Sequence, residues 1–462
     1  GVSICTVSLV LNNKDRNRVS KAVAQRVRET AQSMGYKPSS VARTLRTSRS
    51  YVLGFITDEI ATTPYAGRVL VGAQEAARKL GYILLTVNTG NDRELENQEI
   101  AALRQYRVDG FRFDLASILT RDQNGAPMPD PPILQGIACD PILGHVKLIA
   151  EAWDAAGLYQ VGSFPAFRRW SEWNGRYRDD MRRFLKGDGS MAGTAINRII
   201  GSTDLYDPVH RGESASVNFL TCHDGFTLYD LYSYNTKHNE KNGWNNTDGD
   251  NNGNSWNCGV EGETDDPQIE GLRRRMVKNA FATLLCSRGP AMFYGGDEFC
   301  NTQFGNNNAY CQDNIISWLD WTRLEKYREI HDFVRYMIGF RKRYAILRKK
   351  TKPVACNLPE ISIHNGYPWN GGTDSNSRLI GIMYAGRDEH DTRDDIVFYC
   401  MNAYWETLVM QLPELPNGLQ WKVCVNTSVE YKDGRDMESY TEFYYKKTLK
   451  VPPRTAIVLV AE

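Results

Sequence analysis

Residues 106–119 read YRVDGFRFDLASIL, and the fold turns on how they are divided. VDGFRFDLA (108–116) has the length and apolar content of a buried strand and an acid near its end. In a strand, residues i and i+2 share a face, so Arg112 and Asp114 project side by side. An arginine in that place holds the carboxylate ionised through a charge-assisted bond. Such a pair suits a nucleophile; standing alone, it would equally suit a strand-end salt bridge. Tyr106 and Arg107 close a helical pattern over 92–106, so the stretch ends one α/β unit and opens another.

The pair does not stand alone. KLIAEAWD (147–154) is a second short apolar strand ending in a carboxylate, Glu151, with Trp153 on the same face. VNFLTCHDGFTLYDL (217–231) carries His223 and Asp224, and RGPAMFYGGDEF (288–299) carries Asp297 and Glu298. Four strands with acids at their C-terminal ends, interleaved with helices, describe one rim of a (β/α) barrel, where active sites sit. FVRYMIGFRKRYAIL (333–347) closes this region as a helix. Beyond about 350 the pattern switches to period two in DIVFYCMNAY, QWKVCVNT and TAIVLVAE, which predicts a β-sandwich. In the polar loop 234–266, DGDNNG (248–253) matches half of a calcium loop, but Gly259 stands where the twelfth-position Glu is required. No metal is expected there. The loop reads instead as flexible, with Trp244 or Trp256 free to stack on a sugar.

Upstream, GVSICTVSLVLNN predicts a short helix with Val7, Val10 and Leu11 on one face. VSKAVAQRVRETAQSMGY (19–36) predicts another, capped by Ser20 and stopped at Gly35. Then strands YVLGFITDE and ILLTVNTG alternate with helices AGRVLVGAQEAARKLGY and DRELENQEIAALRQYR, which implies a parallel sheet. Residues 1–50 hold ten Lys/Arg against Asp15 and Glu29, although the 462-residue chain nets only +1. A basic head of this kind is the footprint of a nucleic-acid-binding module, or simply a solvated surface.

The whole chain is 41% hydrophobic and 24% charged, within the range of globular proteins. Ten Trp and 24 Tyr suit sugar stacking as well as a large core. The ten cysteines show no metal-type spacing and are expected as reduced thiols of a cytoplasmic protein. No apolar run reaches membrane-spanning length, and no membrane partner is expected. Gly1 falls inside a motif, so the chain is expected to be a fragment at its N-terminus.

Two resemblances follow from these motifs. VSICTVSLVLN, GYKPSSVARTLRTSRS and YVLGFITDE resemble the recognition helix, hinge and start of the ligand-binding core of the lactose-repressor family. That resemblance implies DNA contacts from Ser3, Ile4, Cys5, Thr6 and Ser8, and a minor-groove wedge at Leu45. It departs from the family in lacking the first helix of the helix-turn-helix, in Leu9 at a place where arginine is common, and in a core that stops after two strands. From Val108 onward, GFRFDLAS, IAEAWD, GLYQVGSFP, RWSEWNGRYRDDMRRFLKGD, FLTCHDGFTLYDLYSYN and GGDEFCNTQFGNNNAYCQDNIISWLDW resemble the glycogen-debranching and isoamylase branch of the α-amylase superfamily.

This second resemblance implies a retaining hydrolase of α-1,6 branches in glycogen or limit dextrin, without a cofactor. Asp114 would be the nucleophile, Glu151 the general acid/base and Asp224 the transition-state stabiliser. Arg112 would support the nucleophile and His223 bind sugar hydroxyls, with Trp153, Asp297 and Glu298 as further substrate contacts. The implied fold is α/β. A truncated helix-turn-helix and hinge (1–48) and half of a flavodoxin-like parallel lobe (49–107) precede a partial (β/α) barrel (108–347) and a C-terminal β-sandwich (348–462). The nucleophile strand is the fourth in the family's order, so five barrel strands are expected. As a hypothesis, the two repressor-like strands extend that sheet to seven. Three readings stay open: a truncated debranching-type hydrolase, a DNA-binding regulator, and a mis-joined fusion with neither activity. The last is favoured for the molecule as a whole, the first for its identifiable chemistry.

Overall fold

The computed structural model describes residues 2–11, 18–33, 52–57, 64–79, 82–88, 110–140, 143, 146–354, 356–371, 377–416, 418–429, 442–444 and 447–462. They fall into two compact units, Gly1–Phe111 with Pro141–Val146, and Arg112–Asp140 with Lys147–Glu462. The side chains of Ile4, Cys5 and Ser8, all of Leu45, and the helix expected over 92–106 lie outside the described residues.

In the first unit, α1 (Ile4–Leu11) begins where Ser3 caps it, its Oγ accepting the Thr6 N–H at 3.1 Å and meeting Thr6 Oγ1 at 2.9 Å. Two side chains expected on DNA, Ser3 and Thr6, are thus engaged in starting the helix. Helix α2 (Lys21–Ser33) follows directly after Ser20. Val10, Ala24 and Val27 are buried between the two helices, ringed by Val2, Val7, Val19 and Val23. Although the first helix of a helix-turn-helix is lacking, α2 thus gives α1 a packing partner. Strands β1 (Val52–Thr57) and β2 (Ile83–Asn88) pair in parallel, joined by helix α3 (Pro64–Lys79). This is the crossover the alternating pattern implied. Val71 and Ile83 remain more than half exposed.

The second unit carries a four-stranded sheet in the order β3 (Gly110–Phe113), β4 (Lys147–Ala150), β5 (Trp170–Trp173), β6 (Ser216–Val217). β4–β5 and β5–β6 run parallel. The extension to seven strands does not form: β1 and β2 make a sheet of two by themselves. The strand expected over 288–299 shrinks to one parallel bridge between Asn218 and Ala291. Pro290 has no N–H to give, and Gly289 and Gly296, at φ +97° and +105°, turn the chain on either side. In exchange WSEW, not recognised as a strand by its sequence, supplies β5.

After the short helix α4 (Pro132–Cys139), helix α5 (Gly175–Lys186) starts where Asn174 Oδ1 accepts the Tyr177 N–H at 2.8 Å and stops at Gly187, φ +92°. Helices α6 (Ala192–Ile199), α7 (Pro267–Cys286) and α8 (Arg328–Arg343) complete the helical layer. Asp266 caps α7 through the Gln268 and Ile269 N–H groups, with Pro267 at the first helical position. Against these helices lies a six-stranded antiparallel sheet, in spatial order β12 (Glu442–Tyr444), β11 (Trp421–Asn426), β14 (Thr455–Ala461), β9 (Asp394–Asn402), β8 (Leu379–Arg387), β7 (Ile361–His364).

Period two decides which way each residue of this sheet faces. Ile380, Ile382, Tyr384, Val397, Tyr399, Met401, Val458 and Val460 join the helical core. Met383, Ala385, Phe398, Cys400, Ile457 and Leu459 face the other way, under the ribbon of β10 (Leu408–Gln411) and β13 (Thr448–Val451). With both faces covered, the central strands are uniformly apolar rather than alternating. Gly381 shows how tight the second layer is: a Cβ there would come within 2.7 Å of the Phe398 ring and 3.0 Å of the His364 carbonyl. Gly381→Ala should lower stability by about 1–3 kcal/mol through overpacking, read from denaturant midpoints.

Candidate active site

Asp114 and Glu151 each follow directly on a strand, β3 and β4, and adjacent strands bring them together. The Glu151 N–H donates to the Phe113 carbonyl at 3.0 Å, and the Ala116 N–H to the Glu151 carbonyl at 2.9 Å. One guanidinium then spans both acids. Arg112 Nη1 lies 2.5 Å from Asp114 Oδ1 and Nη2 lies 3.0 Å from Glu151 Oε1. Two carboxylates on one fork are held well inside the roughly 10 Å beyond which a glycosidase pair cannot cooperate.

Their environments differ. The Asp114 side chain is 65% exposed, that of Glu151 only 2%. Burial pushes the Glu151 carboxyl up to about 7, and the neighbouring Asp114 charge adds to the rise. The Leu115 N–H, at 2.7 Å from Glu151 Oε2, and Arg112 pull the other way without cancelling it. One acid is thus open to solvent while its neighbour retains a proton near neutrality. That is the division of labour a nucleophile and a general acid need. Leu115 itself sits at φ +42°, a left-handed backbone unusual for a bulky residue, immediately after Asp114.

Trp173, at the end of β5, links this pair to the third acid. The Arg112 guanidinium lies 4.1 Å from the Trp173 ring centroid, and the same ring meets His223 edge-on at 5.8 Å. His223 Nε2 is 3.6 Å from Asp224 Oδ2, and both side chains are about half exposed or more. The Gly225 N–H donates to the Asn307 carbonyl at 3.0 Å, tying this loop to the asparagine-rich segment. Trp173 was not singled out from the sequence, because its strand carries no acid beyond its end. The signal was the position of WSEW just before the Asn174 cap. Trp153 stacks on the exposed Tyr159 at 6.0 Å, so it enters the site as half of an aromatic pair.

Asp297 and Glu298, expected as sugar contacts, differ in their surroundings. Asp297 is 1% exposed and accepts from Thr221 Oγ1, the Leu228 N–H at 2.8 Å and the Tyr294 N–H at 3.2 Å. It clamps both sides of the segment bearing His223 and Asp224. Glu298, half-buried, accepts the Gly296 N–H at 2.8 Å. The loop 234–266, expected to be flexible, carries a network of side-chain amides. Asn239 Nδ2 donates to Asn307 Oδ1 at 2.8 Å, and Asn242 Nδ2 to Asp248 Oδ2 at 2.7 Å. Asn308 Nδ2 reaches the same Asp248 oxygen at 2.8 Å. Trp256 packs against the core under the Arg454 guanidinium, whereas Trp244 is 60% exposed. Among the described residues no cluster of three or more His, Cys, Asp or Glu is arranged to hold a metal ion.

Burial also raises Asp230 to about 6 and Asp297 to about 7. With Glu151 these groups hold their protons more tightly folded than unfolded, where carboxyls titrate near 4. The stability they confer is full below pH about 4 and is lost as pH rises through 6 and 7. The melting temperature should therefore fall between pH 5 and pH 8, and Asp297→Asn should flatten that fall.

Comparison with known proteins finds two kinds of similarity. Residues 1–39 match the model of the lacI family of bacterial regulatory proteins. Isoamylase 3, chloroplastic, of Oryza sativa subsp. japonica is 42% identical over 329 residues, 71% of this chain and 41% of the relative. A glycogen operon protein GlgX homolog of Mycobacterium bovis is 39% identical over 376 residues, 77% of this chain and 51% of the relative. The chain thus spans about half the length of the curated relatives it matches, or less. Among solved structures, pullulanase type I from Bacillus subtilis superposes with a TM-score of 0.54 at 21% identity, over 80% of this chain and 47% of the other. Apo pullulanase from Paenibacillus barengoltzii gives 0.53 at 19%, over 80% and 50%. These two likenesses speak for the fold alone. No helix among the described residues is long and apolar enough to cross a membrane. The larger part of the chain is thus similar in sequence to isoamylases and to glycogen operon protein GlgX homologs, and its first 39 residues match the lacI family.

Proposed function

We propose that the chain carries the catalytic centre of an α-1,6-glucan debranching hydrolase acting with retention. The observation that carries this reading is the single Arg112 guanidinium bridging an exposed Asp114 and a buried Glu151 whose pKa is raised to about 7. We read the four-stranded sheet and its bridge at Ala291 as five strands of an α-amylase-type barrel, followed by a β-sandwich. Asp114 attacks the anomeric carbon while Glu151 gives its proton to the departing glycosidic oxygen. Glu151 then takes a proton from the water that releases the covalent glucosyl-enzyme. To reach the leaving oxygen, Glu151 must swing off the Leu115 N–H. Asp224 and His223 orient the sugar, Trp173 fixes Arg112 and His223, and Trp153 with Tyr159 offers a stacking face. The substrate is a branched α-glucan of the glycogen or limit-dextrin kind, and no cofactor takes part. A cytoplasmic setting accords with nine described cysteines that form no disulfide.

The test is release of reducing ends from glycogen or amylopectin but not from unbranched amylose. Release from amylose alone, or from neither, removes the reading. DNA binding through residues 1–39 is a second reading, favoured by the lacI-family match and the paired helices α1 and α2. It requires binding to a palindromic duplex whose affinity falls steeply with salt.

A further inference from the structure

One end of the C-terminal sheet carries exposed aromatic rings that the reaction above does not use. β7 and β9 both lie antiparallel to β8, so they run in the same direction, and His364 and Asn402 end them opposite Gly381 and Leu379. The turns that follow therefore leave the sheet at one end, two strand spacings apart, about 10 Å. The first presents Tyr367 and Trp369, 62% and 52% exposed; the second presents Trp405, 57% exposed. β10 continues from the second turn back to the first, where the Gln411 N–H donates to the Gly366 carbonyl at 2.8 Å. Val409, 48% exposed, lies along that path.

Each turn is fixed from below by a fully buried polar side chain. His364 Nδ1 accepts the Trp369 N–H at 3.0 Å while Nε2 meets Ser362 Oγ at 2.8 Å. The imidazole must be neutral to accept there, and burial, which lowers its pKa to about 4, keeps it so. Asn402 Oδ1 accepts the Tyr404 N–H at 2.9 Å, and its Nδ2 donates to the Glu406, Val451 and Pro452 carbonyls. Tyr404 backs Trp405 with ring centroids 4.0 Å apart. Trp369 holds a left-handed backbone, φ +62°, a conformation that disfavours bulky side chains. Its ring packs on the His364 imidazole at 5.2 Å between centroids and leaves about half of the indole open to water.

We propose that Tyr367, Trp369 and Trp405 form a second α-glucan-binding surface on the C-terminal β-domain, separate from the acids, that stacks the apolar faces of glucose rings in unbranched stretches of the polymer. The charge pattern selects this ligand. Residues 365–371 and 402–405 contain no charged side chain, and Asn365 and Asn370 flank the rings of the first turn. Flat rings beside amides suit a neutral polyhydroxylated chain, and Arg378, 5.7 Å from the Tyr404 ring centroid, and the exposed Glu406 are of opposite sign and leave no net charge to draw a phosphate. The site rests on the glucan reading of the protein, and it would hold polymer to the enzyme between cleavages.

The experiment is affinity electrophoresis of the full chain through gels containing amylopectin, in an Asp114→Asn background so that the polymer stays intact. Trp369→Gly is the principal variant, because glycine accepts φ +62° and removes the ring while relieving strain. Combined with Trp405→Ala, it should abolish most of the retardation, about tenfold per ring in dissociation constant. Trp369→Phe and Trp405→Phe, which keep a ring, should retain it. Retardation that survives the double variant but is lost in Trp153→Ala places all polymer binding at the acids and overturns the proposal. Absence of retardation in the parent chain overturns it as well. Reducing-end release by the chain with Asp114 intact reports separately on the debranching reading.

Discussion

Asp114→Asn should lower hydrolysis of α-1,6 branches on the order of 10⁴-fold or more, because an amide at the end of β3 closes the covalent route. The fold should survive the change. Asp114 is mostly exposed and its side chain supports no buried segment, so the melting temperature should barely move. The loss should fall on kcat with KM little changed, since the sugar is held by groups that the substitution leaves in place. A small effect on kcat would mean that Asp114 is only the strand-end partner of Arg112.

Glu151→Gln should cost about 10²–10⁴-fold, the usual worth of a positioned acid–base group. Its signature lies in the pH profile. With a carboxyl raised to about 7, the active form is the protonated one, so kcat/KM should fall as pH climbs through 7. That alkaline limb should disappear in the variant. The defect should also shrink for substrates whose leaving group departs without a proton. Arg112→Met bears on the same point: without the guanidinium, Glu151 keeps its proton to higher pH, and the limb should move upward.

The site was legible where chemistry follows the strand directly. Arg112 and Asp114 share a face by strict alternation, and Glu151 ends the next apolar run. Both placements need only local geometry. Trp173 escaped notice because its strand ends in a helix cap rather than an acid. Asp297 was misplaced for a related reason. An acid at the end of an apolar run reads the same whether it faces the rim or turns inward, and only the φ +105° at Gly296 and the partners on segment 221–228 decide it. In the loop 234–266 composition hid a network: Asn239 and Asn242 bond to Asn307 and Asn308, whereas Asn245, Asn251 and Asn252 do face water. In the C-terminal region period two indicated a sheet, but LIGIMYA in β8 was passed over because burial on both faces erases alternation. The helix that leads into VDG lies outside the described residues, while the unit boundary at Phe111 falls three residues before the nucleophile.

The central claim is that Asp114 becomes covalently glucosylated within a site completed by Glu151. The most direct measurement is incubation with a fluorinated glucosyl fluoride, which forms the glycosyl-enzyme faster than water resolves it, followed by trypsin and mass spectrometry. The label should appear on the peptide Phe113–Arg121 and nowhere else, and it should be absent from Asp114→Asn. No label, or a label on the peptides bearing Glu151 or Asp224, would contradict the account.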